Sequence, residues 1–312
     1  MEHKRLGTSG LKVPCLSLGT MGWGEETNEE SAGQMLRKYL DAGGSLIDTA
    51  ALYADGNSEA IVGSFLGDMV PRQELTLVSK AGVGLRKGER EVDASRGAML
   101  RSLDASLARL GTDYLDLWLV HTWDAQVPLE ETLSALEFAV TSGRARYVGV
   151  SNYAGWQLAR AACLSRVPLI AIQSEYSLVR RTAEREVIPA AAALGTGVMA
   201  WSPLGRGVLT GKYRGGIPAD SRGASELRAD FVAPYLEPRP ARIVDALATA
   251  ARGLDAEPLD LALSWALQQP GIDTAVVGPR TPAQLEQILK SVPRRMPAEI
   301  VSALNDISAP PA

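Results

Sequence analysis

Short apolar runs alternate with helical spacing along almost the whole chain. Eight runs read as strands: Cys15–Leu18, Ser45–Asp48, Leu75–Ser79, Leu115–Val120, Ala145–Val150, Leu169–Ile172, Gly197–Ala200 and Asp273–Val277. They are short and near-continuously apolar, as strands buried on both faces are. Between them apolar residues recur every three or four positions. The clearest case spans Ser95–Leu110, where Met99, Leu100, Leu103, Leu107 and Leu110 form one stripe and Gly111 follows as a helix stop. Near the start, Thr8, Ser9 and Gly10 mark a turn that predicts a small hairpin.

Eight strand–helix units with no strand-only region predict a parallel sheet sheathed in helices, and eight is a count that closes a barrel. The predicted fold is therefore α/β, a single (β/α)8 TIM barrel across residues 1–312, with an N-terminal β-hairpin. An open doubly wound sheet is the alternative, but it usually carries G-x-G-x-x-G after its first strand. The segment from Gly82 to Gly88 (GVGLRKG) has the wrong spacing. One connection breaks the rhythm. From Ser202 to about Pro240 the chain is rich in Gly, Pro, Ser and Arg. This long loop follows the seventh strand, which puts it on the face where barrel enzymes build their sites.

Composition narrows the picture further. The 312 residues are 46% apolar and 22% charged, with a net charge of −4. A mildly acidic chain gives no support for nucleic-acid or membrane-surface binding. Cys15 and Cys163 lie far apart and outside any CxxC spacing, so no disulfide framework is expected. No apolar leader or spanning segment is read, and a cytoplasmic setting is expected. With only His3 and His121, a histidine-based metal site is not expected.

Polar residues stand where several strand runs end. Asp48 ends the second, Lys80 follows the third, His121 follows the fourth, and Tyr53 lies five residues beyond Asp48. Taken singly, each has a plain structural reading: a turn cap, a solvated lysine, a packed tyrosine, a satisfied histidine. On three neighbouring strands of one barrel they converge at one mouth. Asp, Tyr, Lys and His together suit proton donation by a phenol, with the ammonium lowering the phenol's pKa and the carboxylate fixing the ammonium.

The segments carrying these residues resemble the aldo-keto reductase superfamily. Gly44 to Glu59 (GSLIDTAALYADGNSE) is similar to its first signature and Ser106 to His121 (SLARLGTDYLDLWLVH) to its second. Further matches are Leu77 to Lys80 (LVSK), Val148 to Asn152 (VGVSN), Gln173 to Leu178 (QSEYSL), and Trp201 to Gly207 (WSPLGRG) running on to Tyr213. The matches extend from about residue 4 to about residue 290. The branch resembled is that of the bacterial reductases akin to potassium-channel β subunits.

The resemblance implies NADPH-dependent reduction of aldehydes or ketones, with Asp48, Tyr53, Lys80 and His121 as the catalytic set. It implies that Ser151, Asn152 and Gln173 hold the nicotinamide carboxamide and that Trp201 stacks on the ring. Gly19, Thr20, Met21 and Asp48 are implied near the nicotinamide, and Ser202, Pro203, Leu204, Gly205 and Gly207 along the pyrophosphate. Lys212 and Arg222 would meet the phosphates, and Gly278, Arg280 and Gln284 the adenosine end. The stretch from Gly207 to Tyr213 does not fit a P-loop, since Arg206 replaces its first glycine and Tyr213 its Ser or Thr. Arg280 suits a 2′-phosphate and favours NADPH over NADH. The family's Glu-Asn pair is Gln287 and Ile288 here, which softens that preference. Trp23, Trp123 and the segment after Lys80 are expected to shape the mouth around Tyr53 and His121, for a small-molecule carbonyl substrate. An NADPH-binding regulatory or redox-sensing subunit is the alternative; the histidine at 121, where channel subunits can carry asparagine, favours turnover. A barrel glycosidase would need a second strand-end carboxylate. Nothing in the sequence fixes an oligomeric state.

Overall fold

The computed structural model describes residues 1–310 apart from 87, 227 and 292–294. The chain opens with an antiparallel hairpin, β1 (His3–Arg5) and β2 (Lys12–Pro14). Next come β3 (Leu16–Gly19), β4 (Leu46–Asp48) and β5 (Thr76–Ala81), then a second hairpin, β6 (Val83–Arg86) and β7 (Glu89–Val92). β8 (Leu115–Val120), β9 (Ala145–Ser151), β10 (Leu169–Glu175), β11 (Gly197–Trp201) and β12 (Ile272–Val277) complete the set. β3, β4, β5 and β8 to β12 pair in parallel around a closed ring, in sequence order, with β12 returning to β3. This is the (β/α)8 barrel that the eight apolar runs predict.

Alternation along each strand sends every second residue inward. Leu46, Val78, Leu117, Leu119, Ala171 and Met199 pack as one interior cluster. The N-terminal hairpin closes the floor: Leu6 and Val13 are fully buried in that same cluster. Gly7 fits there because its φ is +55° and a Cβ would stand 2.4 Å from the Gly195 carbonyl oxygen. Outside the ring, the predicted helix forms as Arg96–Leu110. Ser95 caps its start through the Ala98 N–H, and Gly111 ends it in the left-handed region.

Several strands run past the ends of the apolar runs. β5 continues through Lys80 and Ala81, β9 to Ser151, β10 to Glu175 and β11 to Trp201. The apolar pattern stops one layer before the backbone ladder does. Val83–Arg86 of the glycine-bearing segment that begins at Gly82 form the first strand of the second hairpin, which pairs Val83 with Val92 and Arg86 with Glu89. The long connection after the seventh barrel strand is largely wound into short turns: Gly205–Thr210, Arg222–Ala224 and the helix Ala229–Val232. Two helices, Pro238–Gly253 and Pro258–Gln268, then lead to β12.

Gly149 in β9 marks a tight point of the ring. A Cβ there would lie 2.3 Å from the Ala171 carbonyl oxygen and 2.9 Å from Leu119. Gly149→Ala is expected to destabilise the barrel by about 1–3 kcal/mol through overpacking, read as a lowered urea midpoint. A midpoint equal to wild type would show that the ring widens freely at this seam.

Candidate active site

The alternation that fills the barrel with leucine and valine continues upward into polar residues. Two positions above Leu46 stands Asp48; above Val78, Lys80; above Leu119, His121; above Ala171, Gln173; above Met199, Trp201. The structure thus brings the strand-end residues into one layer at the C-terminal mouth. Tyr53 reaches the same layer from the loop after β4, in a turn where Ala54 and Asp55 hold φ of 49° and 52°. Such left-handed conformations in non-glycine residues are strained and collect at functional sites.

Lys80 is the centre of the constellation and is almost wholly buried. Its Nζ donates to Asp48 Oδ1 at 2.6 Å, to the Thr49 carbonyl at 2.8 Å and to the Tyr53 hydroxyl at 3.4 Å. Burial is the largest single influence and opposes its charge, but Asp48 and Tyr53 together outweigh it and raise its pKa above the ordinary value. Gln173 Nε2 donates to the other Asp48 oxygen at 2.6 Å.

The Tyr53 phenol shifts upward, opposite to the direction expected from Lys80 alone. Burial is the largest influence and pushes its pKa up; the pull of Lys80 downward is the smaller opposing one. The phenol therefore keeps its proton at neutral pH. His121 meets the Tyr53 ring edge-on, with centroids 5.9 Å apart. Burial first, then Lys80 and Arg90, push the His121 imidazole down to about 3, so the ring is neutral. Its Nδ1 is buried without a hydrogen-bond partner among the described residues.

Around this layer lies a cavity of about 590 Å³. Gly19, Thr20, Met21, Asp48, Tyr53, His121, Ser151, Asn152, Gln173, Trp201, Ser202 and Arg222 line it. Asn152 and Ser202 sit at φ of 57° and 53° just past their strands. The Asn152 amide donates to the His121 carbonyl at 3.0 Å, and its oxygen accepts from the Trp201 indole N–H at 3.0 Å, which fixes the Trp201 ring.

A second cavity, about 640 Å³, holds Leu204, Gly207, Lys212, Arg280 and Gln284, and Arg222 borders both. Glu26 lies between Arg222 (3.4 Å) and Arg280 (3.5 Å). Burial and the neighbouring arginines lower the Lys212 pKa, and burial lowers that of Arg222. Positive charge is crowded where Lys212, Arg222 and Arg280 act on one another, with Glu26 between the two arginines and Glu257 and Asp260 elsewhere on the wall. Pro203 and Gly205 line neither cavity; Gly205 is buried, with its Cβ direction blocked 2.6 Å away by Val179. Gly278 also lies outside both linings and takes part through its carbonyl, which accepts from Arg222 at 3.2 Å. Ile288 packs with Cys15, Leu263 and Val277 beneath the second cavity.

The two tryptophans expected at the mouth are elsewhere. Trp23 is buried in the core, edge-on to Phe65, because its loop folds inward over the helix side of the barrel. Trp123 packs against Tyr153 and Trp156 at 5.2 and 5.5 Å, and its neighbour Thr122 lines the cavity instead. Leu52, Arg90, Arg228, Phe231 and Val276 complete the lining and were not singled out from sequence. Arg90 lies in the segment after Lys80, and Arg228 and Phe231 in the long loop. Position on those loops was the only signal available.

Known sequences meet this geometry as follows. The profile of the aldo/keto reductase family matches residues 15–309. An uncharacterized oxidoreductase, YrpG, of Bacillus subtilis is 34% identical, the alignment covering 98% of this chain and 96% of the relative. A probable voltage-gated potassium channel subunit beta of Oryza sativa is 34% identical over 94% of this chain and 91% of its own. A putative protein of the same description in Schizosaccharomyces pombe is 32% identical over 97% and 92%.

The neutral His121 has a consequence for stability. The unfolded chain protonates this histidine as pH falls below its ordinary value of 6.5, while the folded protein resists until about 3. This contribution is therefore full above about pH 6.5 and is lost progressively as pH falls toward 3. His121→Gln is expected to flatten the acid-side loss, measured by urea midpoints across that range. An unchanged slope would mean that the folded ring titrates freely.

Proposed function

The chain belongs to the aldo/keto reductase family of oxidoreductases, and we propose that it reduces aldehydes or ketones with NADPH, using Tyr53 as the proton donor. The observation that carries this reading is the buried Lys80, held between Asp48 and the Tyr53 hydroxyl at the cavity floor.

The residues present fit the cofactor. The clustered positive charge of Lys212, Arg222 and Arg280 suits phosphate groups. Arg206 and Gly207 turn through φ of 58° and 93°, and such left-handed steps can present backbone N–H groups to an anion. Ser151, Asn152 and Gln173 offer the donors and acceptors an amide needs, and the Trp201 face is open to the cavity for a flat ring. At the far end Leu259 and Ile288 give adenine an apolar floor in place of a hydrogen bond, and Arg280 supplies a fork for a 2′-phosphate.

When bound, NADPH supplies the hydride to the carbonyl carbon. Tyr53, protonated through burial, donates its hydroxyl proton to the carbonyl oxygen. Lys80 stabilises the phenolate left behind, and Asp48 keeps the ammonium charged and in place. His121, neutral, offers a hydrogen bond to the substrate oxygen without adding charge. Donors fixed in advance around that oxygen need no rearrangement as negative charge develops on it. Tyr53 then recovers a proton from solvent.

Tyr53→Phe is expected to cut turnover of aldehydes by about 10²–10⁴-fold while tryptophan quenching by NADPH persists. Retained turnover would remove Tyr53 from the proton-donor role. The names of the rice and yeast relatives favour a second reading, a cofactor-binding regulatory subunit. Saturable NADPH binding with no oxidation against a broad carbonyl panel would support it. Arg280→Ala is expected to weaken NADPH binding about tenfold or more, the worth of one charged hydrogen-bonding contact, and to leave NADH binding nearly unchanged. Equal losses for both cofactors would deny Arg280 the 2′-phosphate.

A further inference from the structure

Outside the layer that holds Tyr53 and His121, the cavity opens into an outer recess of about 500 Å³ that shares Met21, Leu52, Tyr53, Arg90 and Arg228 with it. Two arginines therefore border both the reacting centre and the entrance. Arg90 is exposed on β7 of the second hairpin; Arg228 comes from the long loop after β11. They reach the two cavities from different connections. Both act at the reacting centre: after burial and Lys80, Arg90 helps hold His121 neutral, and Arg228 is among the charges drawing the Tyr53 phenol down against the larger effect of burial.

Arg228 has a half-used guanidinium. Its Nη2 donates to Glu25 at 2.5 Å, while its Nε is buried without a hydrogen-bond partner among the described residues. A buried donor left unmade is unfavourable, so Glu25 alone does not fully satisfy this guanidinium. Glu25 and Asp55 are the acids that line the outer recess. Glu25 is already paired with Arg228, so it competes with an incoming anion at that guanidinium.

We propose that the preferred substrates are anionic carbonyl compounds, small aldehydes or ketones bearing a carboxylate or a phosphate that Arg90 and Arg228 hold while the carbonyl lies at Tyr53. This rests on the reductase reading and adds the substrate class to it. The anionic group stays unchanged through the reaction: the carbonyl carbon gains hydride, the oxygen gains the Tyr53 proton, and the product is the corresponding hydroxy acid or phosphate ester. Displacing Glu25 is part of binding, so the anion takes over the Nη2. A guanidinium fork suits either oxyanion.

The test compares kcat/KM within pairs of similar shape: succinic semialdehyde against butanal, and glyceraldehyde 3-phosphate against glyceraldehyde. The anionic member is expected to be favoured by about tenfold or more, with a preference that falls as salt screens the partly exposed arginines. Preference in only one pair assigns carboxylate or phosphate as the recognised group. Arg90→Ala and Arg228→Ala are expected to shrink the anionic-to-neutral ratio by about tenfold each, with Arg90→Lys retaining part of it. Glu25→Gln is expected to raise the ratio, a gain that damaged folding would not produce. Equal or better use of the neutral members by wild type overturns the inference and leaves the reductase reading intact. Should neither member of either pair turn over, the reductase reading fails; the anion site is then decided by tryptophan quenching of NADPH-saturated protein with 4-hydroxybutyrate and glycerol 3-phosphate, and no saturable response to either overturns it.

Discussion

An ammonium ion held inside a protein barrel is the demanding condition on which this site depends. Lys80 is 1% exposed, and an uncompensated charge in that position is strongly unfavourable. Three oxygens surround its Nζ, from Asp48, Thr49 and Tyr53. Each constrains something else. Asp48 must stand one strand away, paired with Val78 two residues before Lys80, and its second oxygen is satisfied by Gln173 across the ring. Thr49 must present its carbonyl inward, which sets the course of the loop leading to Tyr53. The ammonium in turn helps hold His121 neutral. The charge states of the four residues are thus one linked solution.

The support for that charge extends outside the ring. Ser79 precedes Lys80 on β5 and points the opposite way, where it donates to Glu59. Glu59 is fully buried and grips Arg109 through two hydrogen bonds of 2.6 and 2.8 Å. Two helices are therefore tied to the strand that carries the lysine. Removing one partner from such a buried set leaves the other unpaired, which is where such pairs become costly. At the opposite wall, Arg206 plays a comparable part. It pairs with Glu175 and lies 3.5 Å above the Phe231 ring, fixing the loop that lines the cavity.

Much of this was legible in the sequence because barrel strands write a simple code. Apolar runs such as Leu115–Val120 set strand number and order, and the first polar residue after each run marks the mouth. Asp48, Lys80 and His121 are visible in that way, and the Gly111 stop ends its helix where expected. What stayed hidden depends on side-chain depth and on loops. Trp23 has no periodic context to say that its loop folds inward over Phe65. The second hairpin has only Gly82 and Gly88 as turn signals in a polar stretch. Arg90 and Arg228 come to border one cavity through tertiary approach, which no local spacing encodes. The direction of the Tyr53 shift turns on burial outweighing a neighbouring charge, a balance of magnitudes that residue identity alone does not supply.

The closing seam of the ring has a bearing on how the chain comes to be folded. Leu16 and Leu18 pair with Ala275 and Val277, residues from opposite ends of the sequence. During synthesis the β3 edge emerges early and has no partner on that side until the last barrel strand is made. Unpaired edges of this kind invite pairing with other chains. The same long-range closure makes assembly slow relative to folds built from local contacts. The short β3, four residues long and flanked by the floor hairpin, limits the edge left waiting. A nascent chain of this protein is therefore most exposed to misassembly through the interval in which seven strands are ready and the eighth is not.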